Sequence, residues 1–168
     1  ENATVIVNSE NTTINVEIDN NDGGDYAAFA ITATDKGVIK INGNLKVNAP
    51  YLLSTRGDSL IAINEANENK TIQVNGVIQF ANAPGGADMN LDSNLVMNLR
   101  GSDSYWTGAL MSYTENVEAL KLGLSDGAQW NAQADIPDPT KAHAVKVNEL
   151  TLNDGVINTE RAGQVVAI

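Results

Sequence analysis

The sequence predicts an all-β chain wound as a solenoid of parallel strands, and three observations predict it. Short alternating β-prone segments run from end to end, with no convincing helical period anywhere. Asn, Asp and Gly clusters punctuate those segments. The chain also repeats itself, imperfectly, at roughly 30 residues per repeat, and the repeating units are strands.

The segments follow in order. Thr4 to Val7, Thr13 to Ile18, Phe29 to Thr34, Val38 to Val47, Leu60 to Ile63 and Thr71 to Phe80 read as strands. Leu91 to Leu99, Leu120 to Leu124, Val145 to Leu152 and Gln164 to Ile168 continue the series. Val, Ile and Thr suit a pleated surface, which is why these segments favour extended backbone. Between them, Asn21-Asp22-Gly23-Gly24, Asn42-Gly43, Asn75-Gly76, Ser125-Asp126-Gly127 and Asn153-Asp154-Gly155 supply turns that tolerate positive φ. Tyr113 to Leu122 comes nearest to a helix and reads equally as a loop entering a strand.

The repeat decides the architecture. Ile39 to Val47 is echoed by Ile72 to Phe80 (72 − 39 = 33), and Ala30-Ile31-Thr32 by Ala62-Ile63-Asn64 (62 − 30 = 32). Near the end, Leu122 to Gly127 is echoed by Leu150 to Gly155 (150 − 122 = 28). In a parallel coil each inward residue stacks on its equivalent one level away, so the same apolar positions must recur; a sandwich of hairpins needs no such recurrence. With levels about 4.8 Å apart, six or so turns make a rod of roughly 30 Å.

Composition narrows the function classes. With 168 residues and 42% hydrophobic content, one domain with a sizeable core is expected. Ten basic against 21 acidic residues, a net charge of -11, repel phosphate backbones and anionic lipids, so no nucleic-acid partner is expected. No cysteine is present, so disulfides and Cys-based metal sites are excluded. No apolar run approaches the roughly 20 residues of a membrane-spanning helix. The chain opens on Glu1 without a basic and apolar leader, and reads as a segment of a longer precursor.

The second half carries a more specific pattern. It comprises Gly101-Ser-Asp-Ser-Tyr-Trp-Thr-Gly108, then Leu120-Lys-Leu-Gly-Leu-Ser-Asp-Gly-Ala-Gln-Trp130, then Val147-Asn-Glu-Leu-Thr-Leu-Asn-Asp-Gly-Val-Ile157. These elements, in this order, resemble the last β-helical coils of pertactin-like autotransporter passengers, the autochaperone region. The likeness is good over about residues 90–160 and architectural before that. It implies a right-handed parallel β-helix across residues 1–168, with general coils at 1–89 and autochaperone-like terminal coils at 90–168. It further implies a non-enzymatic structural and adhesive module at the bacterial cell surface, held to the outer membrane by the same protein's C-terminal β-barrel. Expected partners are that barrel and a host-cell, matrix or neighbouring-cell receptor. The terminal coils would fold first and template the rest. Trp106, Gly108, Gly127, Trp130 and Gly155 are read as scaffold: the tryptophans capping a thinning core, the glycines at tight turns of positive φ.

Other candidates stand beside bland readings. Arg56-Gly57-Asp58 could bridge an integrin's acidic pocket and its metal ion, and is also ordinary turn composition. Asp19 to Asp25 is oxygen-rich but lacks calcium-loop spacing, and reads as a solvated turn. His143, the only histidine, has no Cys and no nucleophile elbow to work with, and its stretch Asp135 to His143 reads as a projecting loop. Asn2, Asn11 and Asn69 open sequons that would be incidental in a bacterial chain. No cofactor or metal is expected. The rival reading is a polysaccharide-degrading enzyme, since such enzymes also use right-handed β-helices; the low aromatic content and scattered acidic residues weigh against it.

Overall fold

The computed structural model describes residues 3–17, 29–80, 94–112, 119–133, 145–159 and 166–167. Among them are sixteen strands and no helix. They fall into six successive levels. The first holds β1 (Thr4–Val7), β2 (Asn11–Asn15) and β3 (Phe29–Thr34); the second holds β4 (Val38–Ile41) and the long β5 (Asn44–Arg56). The third holds β6 (Leu60–Ile63) and β7 (Ile72–Phe80); the fourth holds β8 (Asn94–Arg100), β9 (Tyr105–Gly108) and β10 (Leu110–Ser112). The fifth holds β11 (Ala119–Ser125), β12 (Gln129–Ala132) and β13 (Val145–Lys146), and the sixth β14 (Glu149–Asn153), β15 (Val156–Thr159) and β16 (Val166–Ala167).

Each level pairs with the next in parallel. One sheet runs β1-β4-β6-β8-β11-β14 and the second β2-β5-β7-β9-β12-β15. In the second sheet β3 lies on the later part of β5 and β10 on the later part of β7, while β13 pairs with β16. Every described pair is parallel, which excludes a sandwich of hairpins, and the arrangement is a solenoid-like parallel β fold with open sheets.

Alternation along each strand sends every second side chain inward, and one column in each sheet runs through all six levels. In the first sheet the column is Val7, Ile41, Ile63, Met97, Leu122 and Leu150. In the second it is Ile14, Val47, Val74, Trp106, Trp130 and Ile157. The interior members of both are buried, whereas Val7, Leu150, Ile14 and Ile157 at the ends are only partly so. Each fully buried large side chain contributes roughly 1.5–3 kcal/mol, so the middle levels hold the fold together.

Two expectations need correction. The echo of Ile39 to Val47 in Ile72 to Phe80 does not mark stacked positions: Ile39 pairs with Ile61 in the first sheet, whereas Ile72 pairs with Leu45 in the second. Likewise Ile31 lies beside Leu53 and not Ile63. The later echo does hold, with Leu122 on Leu150. The first level-to-level offsets are 38 − 4 = 34 and 60 − 38 = 22, so the repeat length varies with the connections. Second, Asn75-Gly76 is no turn between strands. It lies inside β7, where Gly76 (φ +132°) and register shifts opposite Asn48 to Leu53 bend the strand pair.

The expected strands otherwise align closely with β1, β3, β6, β7 and β11. Val38 to Val47 divides at Asn42-Gly43, and β5 continues far beyond it. Strands β9, β10, β12 and β15 have no counterpart among the expected ones. Four expectations lie outside the described residues: the Asn21-to-Gly24 turn, the Asp19-to-Asp25 stretch, His143 with its loop, and most of Tyr113 to Leu122. Asn2 and the ends of the chain at Gln164, Val165 and Ile168 do so as well.

Candidate functional site

The most specific side-chain constellation lies where the resemblance was strongest. Trp106 on β9 and Trp130 on β12 are register partners, both fully buried, with ring centroids 4.9 Å apart and planes 1° from parallel. Each indole N–H donates to a glycine carbonyl one level before it: Trp106 Nε1 to Gly76 O at 3.0 Å, Trp130 Nε1 to Gly108 O at 3.3 Å. A buried indole must satisfy its single donor, and both rings do so along the stacking axis. They are therefore not caps. They form two adjacent layers of the core, with Val74 before them and Ile157 after.

The glycines divide by role. Gly127 (φ +84°) follows Asp126 (φ 54°) in a left-handed turn between β11 and β12, as expected. Gly108 and Gly155 are absent from the left-handed region, which corrects the turn reading. A Cβ at Gly108 would collide with the Gly76 carbonyl and lie 2.7 Å from Trp106 Nε1; one at Gly155 would lie 2.7 Å from the Leu124 carbonyl oxygen. Close approach of neighbouring levels requires these two glycines. In the turn before β15 it is Asp154 that takes φ 60°.

Arg56, Gly57 and Asp58 run from the last residue of β5 into the turn before β6. Gly57 (φ +67°) is half-buried and Asp58 (φ 53°) exposed, while the Arg56 side chain lies outside what is described. The turn stacks on its predecessor, Asp35-Lys36: Lys36 N–H donates to Gly57 O at 2.7 Å and Leu60 N–H to Gly37 O at 2.9 Å. Ser59, fully buried behind it, donates to Ala33 O at 2.9 Å. Turn chemistry alone accounts for Gly and Asp at these two positions.

Polar side chains bind the levels at other corners. Buried Asn64 closes its own turn, donating to Glu68 O at 3.0 Å and accepting from Glu68 N–H at 2.9 Å. It also donates to Asn98 O at 3.2 Å, and Asn98 Nδ2 returns a bond to Asn64 O at 3.1 Å. Ser104 Oγ donates to Arg100 O at 2.7 Å and accepts from Ile72 N–H at 3.0 Å. Sequence reasoning gave Asn64 no site role and named Ser104 only within the Gly101-to-Gly108 element. Ser104 follows Gly101-Ser102-Asp103, a turn signal that could have marked it.

Among the described residues no group of three or more His, Cys, Asp or Glu could hold a metal ion, and no helix is long and apolar enough to cross a membrane. The chain matches no family model, no curated protein and no solved structure.

Proposed function

We propose that this chain is part of the right-handed β-helical passenger of a bacterial autotransporter, a rigid non-enzymatic spacer that displays its turns at the cell surface and supports adhesion. The observation that carries the reading is the stacked Trp106–Trp130 pair, which sits in the pattern that resembles the terminal coils of such passengers. A parallel stack suits the role because its stability adds level by level, each formed level offering an unpaired strand edge on which its neighbour is built. The terminal coils, with the large buried indoles, would form first and template the others.

The experiment is made on the source cells. An antibody raised against the folded chain should label intact, unpermeabilised cells, and protease added outside should remove the label. The parent reading frame should encode an outer-membrane barrel, of about 12 strands, after this segment. Labelling only after lysis, or a parent frame without a barrel, would overturn the proposal.

A further inference from the structure

An open groove of about 740 Å³ runs across the levels at the corner where the second sheet bends. It begins at Val16 and Glu17, passes Ala49-Pro50, Gly76-Val77 and Ala109, and ends at Gln133. That path crosses from the first level to the fifth, roughly 19 Å at about 4.8 Å per level. One wall is polar. Asn48, Asn75 and Thr107 are register partners on β5, β7 and β9, and all three line the groove. Asn48 is exposed and Asn75 and Thr107 half-buried, and Thr107 Oγ1 accepts from Asn131 Nδ2 at 3.1 Å. The apolar lining is mostly buried beneath the surface, as Val77 and Ala109 are, and Pro50 is its exposed member.

We propose that this groove binds an uncharged glycan chain laid along the stacking axis. The two amides donate and accept and the Thr107 hydroxyl keeps its O–H to donate, which matches sugar hydroxyls, while the exposed Pro50 ring suits the C–H face of a sugar ring. Among the described residues the groove is lined by no cationic side chain and by one carboxylate, Glu17, and the whole chain carries -11, so an acidic polymer is repelled. An extended peptide would need a free sheet edge to add itself as a strand. Here β5, β7 and β9 lie inside the sheet, with neighbours on both sides. The inference needs only the groove and stands or falls apart from the surface-display reading.

The test is a titration of isotope-labelled protein with short linear glucans, mannans and xylans, followed by NMR. At least one should shift the side-chain amide signals of Asn48 and Asn75, with an affinity that changes by less than about twofold as NaCl is raised. Asn75→Ala and Thr107→Ala should each weaken that binding about five- to tenfold, the effect of one lost hydrogen bond. Thr151→Ala, on the other sheet, should leave it unchanged. No shift of the two asparagine amides with any of these glycans would overturn the proposal. So would tighter binding of an acidic glycan or of a Lys-rich peptide. The wild-type titration decides the matter even where a variant folds poorly.

Discussion

At the scale of single residues, the tryptophan pair and the glycines beneath it make the sharpest demands. Trp106→Ala would remove a fully buried ring, its partner in the stack and the donor to Gly76 O, and is expected to cost about 3–5 kcal/mol. Urea unfolding measures this, and a wild-type midpoint would refute the packing role. Gly101 and Gly108 form a contrasting pair. A Cβ at Gly101 meets nothing within 4 Å, so Gly101→Ala bears only the strain of φ +84°, roughly 1–2 kcal/mol. Gly108→Ala has an unstrained φ but a blocked Cβ. Its expected loss reaches or exceeds the roughly 3 kcal/mol upper end of ordinary overpacking, because the obstacle is backbone of the neighbouring level. Equal midpoints for the two alanine variants would contradict this account.

At the scale of elements, the levels differ in what covers them. The interior strands β4 to β12 have a partner on each side in the two long sheets, β10 apart, whereas β1 and β2 at one end and β14 and β15 at the other are edges. Exposure follows: among the described residues the exposed large apolar side chains are Val5 at 51%, Ile6 at 55%, Leu152 at 51% and Val156 at 43%, all on those edge strands. Amide hydrogen exchange should therefore be fastest in β1 and β15 and slowest in β6 to β9, since local opening of an end level breaks one ladder instead of two. Uniform protection across all levels would show global unfolding to be the only opening route. The turn between β6 and β7 is a second case. Asn64→Ala leaves Glu68 N–H, Glu68 O and Asn98 O without their side-chain partner, and an expected loss of about 2–3 kcal/mol should appear in thermal or urea unfolding. Faster exchange confined to the Glu68 amide would indicate a loosened turn instead of a weakened stack.

At the scale of the whole molecule, charge and stacking oppose each other. Four ion pairs join described residues, Lys40–Glu65, Lys70–Glu68, Arg100–Asp126 and Lys121–Glu149, and all have side chains about a third or more exposed. Exposed pairs contribute little, about 0–1 kcal/mol each. Against them stands the mutual repulsion of 21 acidic residues set against 10 basic ones. Salt screens both, and the repulsion outweighs the pairs, so Tm is expected to rise as NaCl is increased from low to physiological ionic strength. A falling Tm would mean that the ion pairs outweigh the net charge.

Much of this was legible in the residues themselves. Alternation is a local property, so β1, β3, β6 and β7 can be read from a few neighbouring residues, and Asp126-Gly127 announces its own left-handed turn. Parallel pairing was legible in one recurrence, Leu122 to Gly127 with Leu150 to Gly155, whose leucines do stack; the two earlier echoes join positions that do not. Register was not. The offset between stacked residues is the summed length of every connection in one level, and here it changes between neighbouring levels, so two similar segments such as Ile39 to Val47 and Ile72 to Phe80 need not share a sheet. The roles of Gly108 and Gly155 were hidden for a related reason. A glycine kept for its own dihedral is visible locally, whereas one kept for the approach of another level appears only when that level is in place. Sequence alone determined that this chain makes strands and turns that stack; tertiary structure decided which strands share a face, since contact across levels depends on connections that local chemistry does not constrain.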